Sequence, residues 1–161
     1  MSDYTIPAGT TIGHVHLKVS DLDRAEAFYR DVLGFEVQQH YGGSASFLSA
    51  GGYHHHIGLN IWQSRGGSSP PPGTTGLFHL AVLYPTRADL ARAVKQLVEH
   101  GVAIDGASDH GVSEAIYLRD PDGNGIELYR DRPQDEWPRD EHGELSMVTL
   151  PLDVAGLLAE A

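Results

Sequence analysis

An internal repeat constrains the fold of this chain more strongly than any single motif. The first half opens with "GHVHLKVSDLDRAEAFYRDVLGFEV", residues 13–37, and the second with "FHLAVLYPTRADLARAVKQLVEHGVAI", residues 78–104. Each begins with a short strand-like run that contains a histidine, passes through a turn and continues as a helix of about twelve residues that stops at a glycine. Self-similarity of this kind indicates two copies of one supersecondary unit.

Both predicted helices carry an apolar stripe at three-and-four spacing. Gly34 follows the stripe of the first helix and Gly101 follows that of the second, and each glycine marks the end of its helix. Thr86, three residues before Asp89, resembles a capping box with Asp in place of the usual Glu. The stripe residues are Ala25, Phe28, Tyr29, Val32 and Leu33, then Leu90, Ala93, Val94, Leu97 and Val98.

Three strand-like runs follow each helix, so each half has the order βαβββ. The runs are 35–40, 45–49 and 55–63, then 102–107, 113–119 and 125–130. This pattern predicts an α+β fold with one domain over residues 1–134, built from modules 11–63 and 76–131. The stretch "QSRGGSSPPPGTTG", residues 63–76, is typical of a linker or mobile loop.

The tail from Asp131 begins with proline and charge, which is not typical of a further domain. We expect residues 135–161 to be a C-terminal extension with a short helix. That helix would dock through Leu152, Leu157 and Leu158.

Composition disfavours some classes of partner and excludes some kinds of site. The chain has 22 acidic and 11 basic residues, a formal charge of −11, which disfavours nucleic acid and anionic membranes as partners. There is no cysteine, so a disulfide framework and a thiolate metal site are excluded. The N-terminal residues lack a secretory signal pattern and no run reaches transmembrane length, so we expect a cytoplasmic protein.

One carboxylate interrupts an apolar strand near the end of the second module. Alternation places Ile126 and Leu128 on one face and Glu127 on the other. The ordinary interpretation is a solvated carboxylate, because charged residues are rarely buried without partners. The alternative is a functional carboxylate, and this stretch alone leaves both open.

Several motifs together resemble the vicinal oxygen chelate superfamily, also called the glyoxalase, bleomycin-resistance and dioxygenase superfamily. They are "GHVHLKVSDL" with His14, "FYRDVLGF" and "YLRDPDGNGIELY", and the match covers about residues 11–131. The stretches "DHGVSEAIYLRDPDGNGIELY" and "GGYHHHIGLNIW" more specifically resemble ring-cleaving extradiol dioxygenases of the catechol 2,3-dioxygenase kind. The resemblance implies paired βαβββ modules whose curved mixed sheets face each other around a metal cleft.

The resemblance implies a metal site at His14, His79 and Glu127. Two imidazoles and one carboxylate with open positions suit non-haem Fe(II) and its oxygen chemistry, and Mn(II) fits as an alternative. His16 competes with His14, because alternate strand residues face the same side. The family register favours His14, seven residues before Asp21.

Gly58 falls where four-ligand relatives place a carboxylate in the first module. This departure disfavours a lactoylglutathione-lyase-like site and favours three protein ligands. For any one of these histidines taken alone, the ordinary interpretation is a hydrogen-bonded histidine in the core or at its rim, not a metal ligand.

Three further residues match catalytic positions of the family. His55 matches a second-sphere acid–base histidine, His110 a hydrogen-bond donor on the substrate side, and Tyr117 a phenol near the metal-bound oxygens. Strict alternation from Gly58 would instead aim His54 and His56 inward, so His55 requires a β-bulge. An exposed histidine triplet and a core tyrosine are the alternative interpretations, and residues 120–123, "DPDG", indicate a tight turn.

The resulting hypothesis is an oxidoreductase of aromatic compound catabolism that cleaves a catecholic ring with O2. A bleomycin-resistance-like protein that sequesters a ligand without metal is one alternative. A glyoxalase-like lyase or isomerase, which would have a fourth protein ligand, is another. We expect a small aromatic substrate, a homodimer or higher homo-oligomer, and no nucleic-acid or membrane partner.

Overall fold

The computed structural model describes residues 3–161 and contains two mixed β-sheets. The first module comprises β1 (Val15–Lys18), α1 (Leu22–Ala27), β2 (Glu36–Tyr41), β3 (Ala45–Ser49) and β4 (Ile57–Asn60). The second comprises β5 (Leu80–Leu83), α2 (Arg87–Glu99), β6 (Ile104–Asp109), β7 (Ser113–Arg119) and β8 (Gly125–Asp131). The tail adds β9 (Leu150–Pro151) and α3 (Val154–Leu158). The α+β class and the order βαβββ are confirmed.

The two sheets have the same topology, apart from the strand that the tail adds. Their strand orders are β1-β4-β3-β2 and β5-β8-β7-β6-β9. In each module the first strand pairs in parallel with the last, β1 with β4 and β5 with β8, and the other pairs are antiparallel. Strands β1 and β5, which follow directly after His14 and His79, are therefore both outer strands of their sheets.

The two helices differ more than their apolar stripes predict. Helix α2 is regular over 13 residues and is capped by Thr86, whose hydroxyl accepts a hydrogen bond from the Asp89 backbone, as the sequence indicates. Helix α1 has only 6 residues and continues as a π-helical turn over Phe28–Val32 before the left-handed Gly34 ends it. The wider turn keeps Phe28 and Tyr29 buried against the sheet.

One apolar core runs through both modules. It is formed by the inward faces of the sheets and the apolar stripes of the helices. Glu127 points away from that layer, as strand alternation predicts, because Ile126 and Leu128 are fully buried in it. The largest fully buried side chains are Tyr29, Leu48, Leu59, Leu90, Leu97, Ile116, Leu118, Ile126, Leu128 and Leu157.

The segment 120–123 does more than form a tight turn, so the sequence interpretation was too narrow. The buried carboxylate of Asp120 accepts a hydrogen bond from the Tyr29 hydroxyl at 3.0 Å. Asp122 accepts from the Ser20 hydroxyl at 2.5 Å and pairs with Arg24 at 2.7 Å. Because these partners belong to the first module, the turn fastens the two modules together.

The tail packs on the second module as a docked extension. Strand β9 pairs with β6, and helix α3 contacts α2 through the buried Leu157. Arg87 at the start of α2 pairs with Glu114 at 2.8 Å and with Glu160 of the tail. Within residues 3–161, no helix is both long enough and apolar enough to span a membrane.

Candidate active site

Strand register places the candidate ligands of the two modules at equivalent positions. Val15 pairs with Ile57 and His16 with Gly58 in the first sheet, while Leu80 pairs with Ile126 and Ala81 with Glu127 in the second. His14 directly precedes Val15, and His79 directly precedes Leu80. The two histidines therefore occupy equivalent positions in the two modules. His16 corresponds to Ala81, so it has no histidine counterpart in the second module.

By the same register, Gly58 is the equivalent of Glu127. A Cβ atom at Gly58 would lie 2.9 Å from the imidazole ring of His16, closer than real contacts allow. The glycine therefore leaves room for the His16 ring, and the first sheet presents no carboxylate there.

Four candidate residues of the second module form a connected chain of contacts, here called the carboxylate network. The Nε2 atom of His79 lies 2.8 Å from Oε2 of Glu127, whose side chain is 13% exposed. The Tyr117 hydroxyl lies 3.2 Å from the other carboxylate oxygen and 2.7 Å from Nε2 of His110. Tyr117 and Glu127 are direct cross-strand partners on β7 and β8, which explains their approach.

A backbone carbonyl of the tail fixes the tautomer of His110. The Nδ1 atom lies 2.9 Å from the Val148 carbonyl oxygen, which can only accept, so Nδ1 carries a proton. A neutral His110 then accepts a hydrogen bond from the Tyr117 hydroxyl at Nε2. A protonated His110 instead donates a hydrogen bond from Nε2 to the Tyr117 oxygen. The hydroxyl of Tyr117 then donates its own hydrogen bond to Glu127. The proton on His110 thus controls the direction of the Tyr117 hydrogen bond.

The environment keeps Tyr117 in its protonated form. Desolvation, followed by the charge of Glu127 and its hydrogen bond, raises the pKa of Tyr117 to about 12. Near neutral pH the phenol is therefore a hydrogen-bond donor.

The first module carries a second group, here called the histidine cluster: His14, His16, His54, His55 and His56. The rings of His14 and His55 are 4.4 Å apart, and the Nδ1 atoms of His54 and His55 are 2.8 Å apart. The ring of Phe47 packs edge-on against both His16 and His55.

Burial and neighbouring positive charge favour the neutral imidazole at two positions of this cluster. Desolvation and the charges of the neighbouring histidines, His14 foremost, lower the pKa of His55. Desolvation and His14 also lower the pKa of His16. A neutral imidazole at His55 can accept a proton, as an acid–base role requires.

The β-bulge expected at His55 is absent, and the predicted strand 55–63 was too long. Strand β4 begins at Ile57 and ends at Asn60, so His54, His55 and His56 lie in the loop before it. Loop backbone does not alternate like a strand, so His55 contacts His14 without a bulge.

The structure does not bring His14 to the carboxylate network. Among residues 3–161, no group of three or more His, Asp or Glu side chains is placed to hold a metal ion. The pair of His79 and Glu127 nevertheless fits two ligands of one ion: donors about 2.1 Å from a divalent metal and at right angles are about 3 Å apart. Their 2.8 Å separation equally suits a hydrogen-bonded pair.

Both groups lie outside an open cavity between the two modules. That cavity, about 490 Å³, is lined by residues at the end of the first helical segment, such as Leu33, and by residues of β5 and α2, such as Tyr84 and Ala93. No residue of the carboxylate network or the histidine cluster lines it. The carboxylate network is partly buried, whereas His14, His16 and His54 of the histidine cluster are exposed.

Sequence reasoning missed the contribution of the tail to this site. Besides the Val148 carbonyl, the Thr149 hydroxyl lies 3.4 Å from Nδ1 of His110, and the Val148 amide donates to the His110 carbonyl. No local pattern marks such contacts, since they join residues that are far apart in sequence. The sequence signal for docking of the tail was its apolar residues Leu152, Leu157 and Leu158.

The sequence matches known proteins over most of its length. The family model for the Glyoxalase/Bleomycin resistance protein/Dioxygenase superfamily matches residues 11–128. Catechol-2,3-dioxygenase of Bacillus subtilis is 42% identical over 98% of this chain and 54% of that protein. Biphenyl-2,3-diol 1,2-dioxygenase 3 of Rhodococcus globerulus is 35% identical over 74% of this chain and 63% of that protein. The chain thus spans somewhat more than half the length of these relatives.

Solved structures of similar fold match the chain as well. A glyoxalase/dioxygenase from Nostoc punctiforme has a TM-score of 0.64 at 22% identity, over 83% of this chain and all of that one. A lactoylglutathione lyase from Agrobacterium tumefaciens has a TM-score of 0.59 at 26% identity, over 78% of this chain and 96% of that one.

Proposed function

Because the chain belongs to the glyoxalase, bleomycin resistance and dioxygenase superfamily, we propose that it is a metal-dependent extradiol dioxygenase. Its substrates would be O2 and a small aromatic compound with two adjacent ring hydroxyls. The observation that carries the proposal is the carboxylate network, in which an imidazole and a carboxylate converge beside a protonated phenol and a second imidazole. The names of two relatives, a catechol dioxygenase and a biphenyl-diol dioxygenase, support the choice of substrate class.

We assign His14, His79 and Glu127 as the metal ligands. Two neutral nitrogen donors and one carboxylate suit Fe(II), with Mn(II) as the alternative, and such an ion would supply open positions for a catechol and O2. His79 and Glu127 already converge within one chain.

The remaining candidate residues would bind the substrate and move its protons. Tyr117, which holds its proton well above neutral pH, donates a hydrogen bond toward the ligand pair. His110 controls the direction of that hydrogen bond and takes up or returns a proton at Nε2. His55, whose lowered pKa keeps it neutral, would accept a proton from a ring hydroxyl.

The register favours this function over the two alternatives. A glyoxalase-like lyase would have a fourth ligand at the position equivalent to Glu127, where this chain has Gly58. A bleomycin-resistance-like binding protein would not need His14, His79 and Glu127 together with an oriented phenol.

Metal analysis followed by an anaerobic titration tests the proposal. Protein purified without added metal and reconstituted with Fe(II) should bind catechol in the absence of O2 and, on admission of air, form the yellow ring-opened product. The same experiment with Mn(II) decides between the two ions. A reconstituted protein that binds metal but cleaves none of catechol, 3-methylcatechol or 2,3-dihydroxybiphenyl would contradict the assignment.

A further inference from the structure

His110 is the middle residue of a tight turn between β6 and β7. The Asp109 carboxylate accepts a hydrogen bond from the Gly111 amide at 2.8 Å, which closes the turn around His110. The His110 amide donates to the Ser113 carbonyl at 2.8 Å, and the His110 carbonyl accepts from the Val148 amide at 3.1 Å. The backbone of His110 is thus held on both sides, and the side chain of Asp109 closes the turn.

The tail packs directly against this turn. The backbone of Gly111 is left-handed, with φ of 75°, and a Cβ atom there would lie 2.8 Å from Cγ of Pro138 and 3.3 Å from Cγ2 of Val148. The space between the turn and the tail is therefore filled, so the direction of the His110 side chain depends on how the turn is held.

Arg132, the first residue after β8, holds the Asp109 carboxylate. Its Nη2 atom lies 2.6 Å from Oδ2 of Asp109 and 3.5 Å from Oε1 of Glu114, and its amide donates to the Val112 carbonyl at 2.7 Å. Desolvation raises the pKa of Asp109, but the hydrogen bonds from the Gly111 amide and Arg132 outweigh it and lower that pKa. One oxygen of Asp109 therefore closes the turn while the other binds Arg132.

These charges lie behind the sheet that carries the carboxylate network. Glu114 is buried, and its Oε2 atom accepts hydrogen bonds from Nε of Arg87 and Nε of Arg130, each at 2.8 Å. Strand alternation places Glu114 and Tyr117 on opposite faces of β7. Arg132 pairs with carboxylates on the face of Glu114, so its route to the network runs through the turn at His110.

We propose that Arg132 is a positioning residue for His110. By holding the Asp109 carboxylate it keeps the turn closed, which keeps Nδ1 of His110 at the Val148 carbonyl and Nε2 at the Tyr117 hydroxyl. Without Arg132, the Asp109 side chain turns toward solvent and the imidazole samples other orientations. The expected effect on turnover rests on the proposed function, whereas the effect on His110 itself does not.

The protonated ring nitrogen of His110 reports its orientation without any assay of activity. Long-range proton–nitrogen correlation spectra of the full chain, labelled with 15N-histidine, are recorded at about pH 8.5, where an ordinary imidazole is neutral. The signals that disappear in His110→Ala identify His110 among the ten histidines. We expect a proton on Nδ1 in wild type and a mixture of both tautomers in Arg132→Met.

Three further variants separate positioning from general loss of stability. Arg132→Lys should restore the wild-type tautomer, because both ion pairs of Arg132 use a single nitrogen atom. Asp109→Asn removes the charge that Arg132 binds and should also mix the tautomers, which keeps the test decisive if Arg132→Met does not fold. Arg92→Met breaks an arginine–aspartate pair on the surface of α2 and should match wild type.

Turnover of catechol by Fe(II)-reconstituted protein supplies the second readout. Arg132→Met should lower turnover by about tenfold to a hundredfold with unchanged metal content, since small misplacements of a reacting group have effects of this size. Added to His110→Ala, the same substitution should cause no further loss, because Arg132 acts through His110.

Either readout can overturn the inference. Wild type without a proton on Nδ1 of His110, or an unchanged tautomer in Arg132→Met and Asp109→Asn, would contradict it whether or not the protein cleaves catechol. A full additional loss of turnover in the His110→Ala background would show that Arg132 acts elsewhere. Wild type that cleaves no catechol contradicts the proposed function alone, and the tautomers then decide the role of Arg132.

Discussion

The hydroxyl of Tyr117 lies 3.2 Å from Oε1 of Glu127, directly across the pair of strands β7 and β8. The other oxygen of that carboxylate lies 2.8 Å from His79. Glu127 therefore uses one oxygen toward an imidazole and the other toward a phenol. This division allows the same carboxylate to hold a cation and to orient a proton donor.

Replacing Glu127 with Ala should remove most of the bound metal, because it deletes the only negatively charged ligand of the proposed set. The measurement is metal content after reconstitution with Fe(II) under anaerobic conditions. Glu36→Ala is a suitable control, since Glu36 lies exposed on the outer strand β2. Full metal occupancy in the Glu127 variant would show that the ligand assignment is wrong.

Tyr117→Phe should reduce turnover by about tenfold or less and leave metal content unchanged. The change deletes the one hydrogen bond that the hydroxyl can donate and preserves the ring, and one such bond is worth about 1 kcal/mol. Steady-state kinetics and metal analysis on the same preparation check both statements. A variant that loses its metal would make Tyr117 a structural support of Glu127 rather than a donor to the substrate.

His55→Ala should lower turnover about a hundredfold to ten-thousandfold without loss of metal, since it removes an acid–base group and no ligand. The kinetic measurement is made on Fe(II)-reconstituted protein of known metal content. His142→Ala, at an exposed position in the tail, is the matched control. Unchanged turnover in the His55 variant would leave His54 or His56 as the group to test.

Tyr29→Phe should destabilise the protein by about 1 kcal/mol near neutral pH, because it removes the hydrogen bond to the buried Asp120. Desolvation and Asp120 raise the pKa of Tyr29 above its usual value near 10. Above that pH the unfolded state loses a proton that the folded state keeps, so wild-type stability falls as pH rises.

Denaturant unfolding at pH 8 and pH 10.5 tests both statements, and the Tyr29 variant should show the weaker pH dependence. Tyr41→Phe, at an exposed position, is the control and should match wild type at pH 8. A Tyr29 variant with wild-type stability at pH 8 and an unchanged pH dependence would contradict this role for the contact between modules.

Local patterns were sufficient to predict the order of the elements and the face of β8 on which Glu127 lies. The repeat predicts equivalent positions for His14 and His79, and the observed strand register agrees. Strand alternation likewise predicts that Glu127 faces away from the core. Both inferences depend only on periodicity, which neighbouring residues determine.

Long-range relationships could not be predicted in the same way. The contact of Val148 with His110 joins residues 38 apart, and the bonds of Asp120 and Asp122 to the first module join residues about a hundred apart. Both ends of β4 were misjudged for a related reason. The sequence indicates a strand over residues 55–63, but pairing with β1 and β3 covers only Ile57–Asn60.

The distance between His14 and the carboxylate network was also beyond local patterns, because it depends on how the modules pack. Family register aligns the three ligands in sequence, yet in the arrangement that the contact of Ser20 with Asp122 helps to fix, His14 does not join His79 and Glu127.

Oxygen consumption during a single catechol turnover tests the proposed function most directly. Fe(II)-reconstituted protein is mixed with a limiting amount of catechol, 3-methylcatechol or 2,3-dihydroxybiphenyl in a sealed oxygen electrode, and the ring-opened product is quantified in the same sample. For at least one substrate, we predict that one O2 is consumed for each ring opened, and that Glu127→Ala consumes almost none. Metal-loaded wild type that consumes no O2 with any of the three, or consumes O2 without opening the ring, would contradict the assignment as an extradiol dioxygenase.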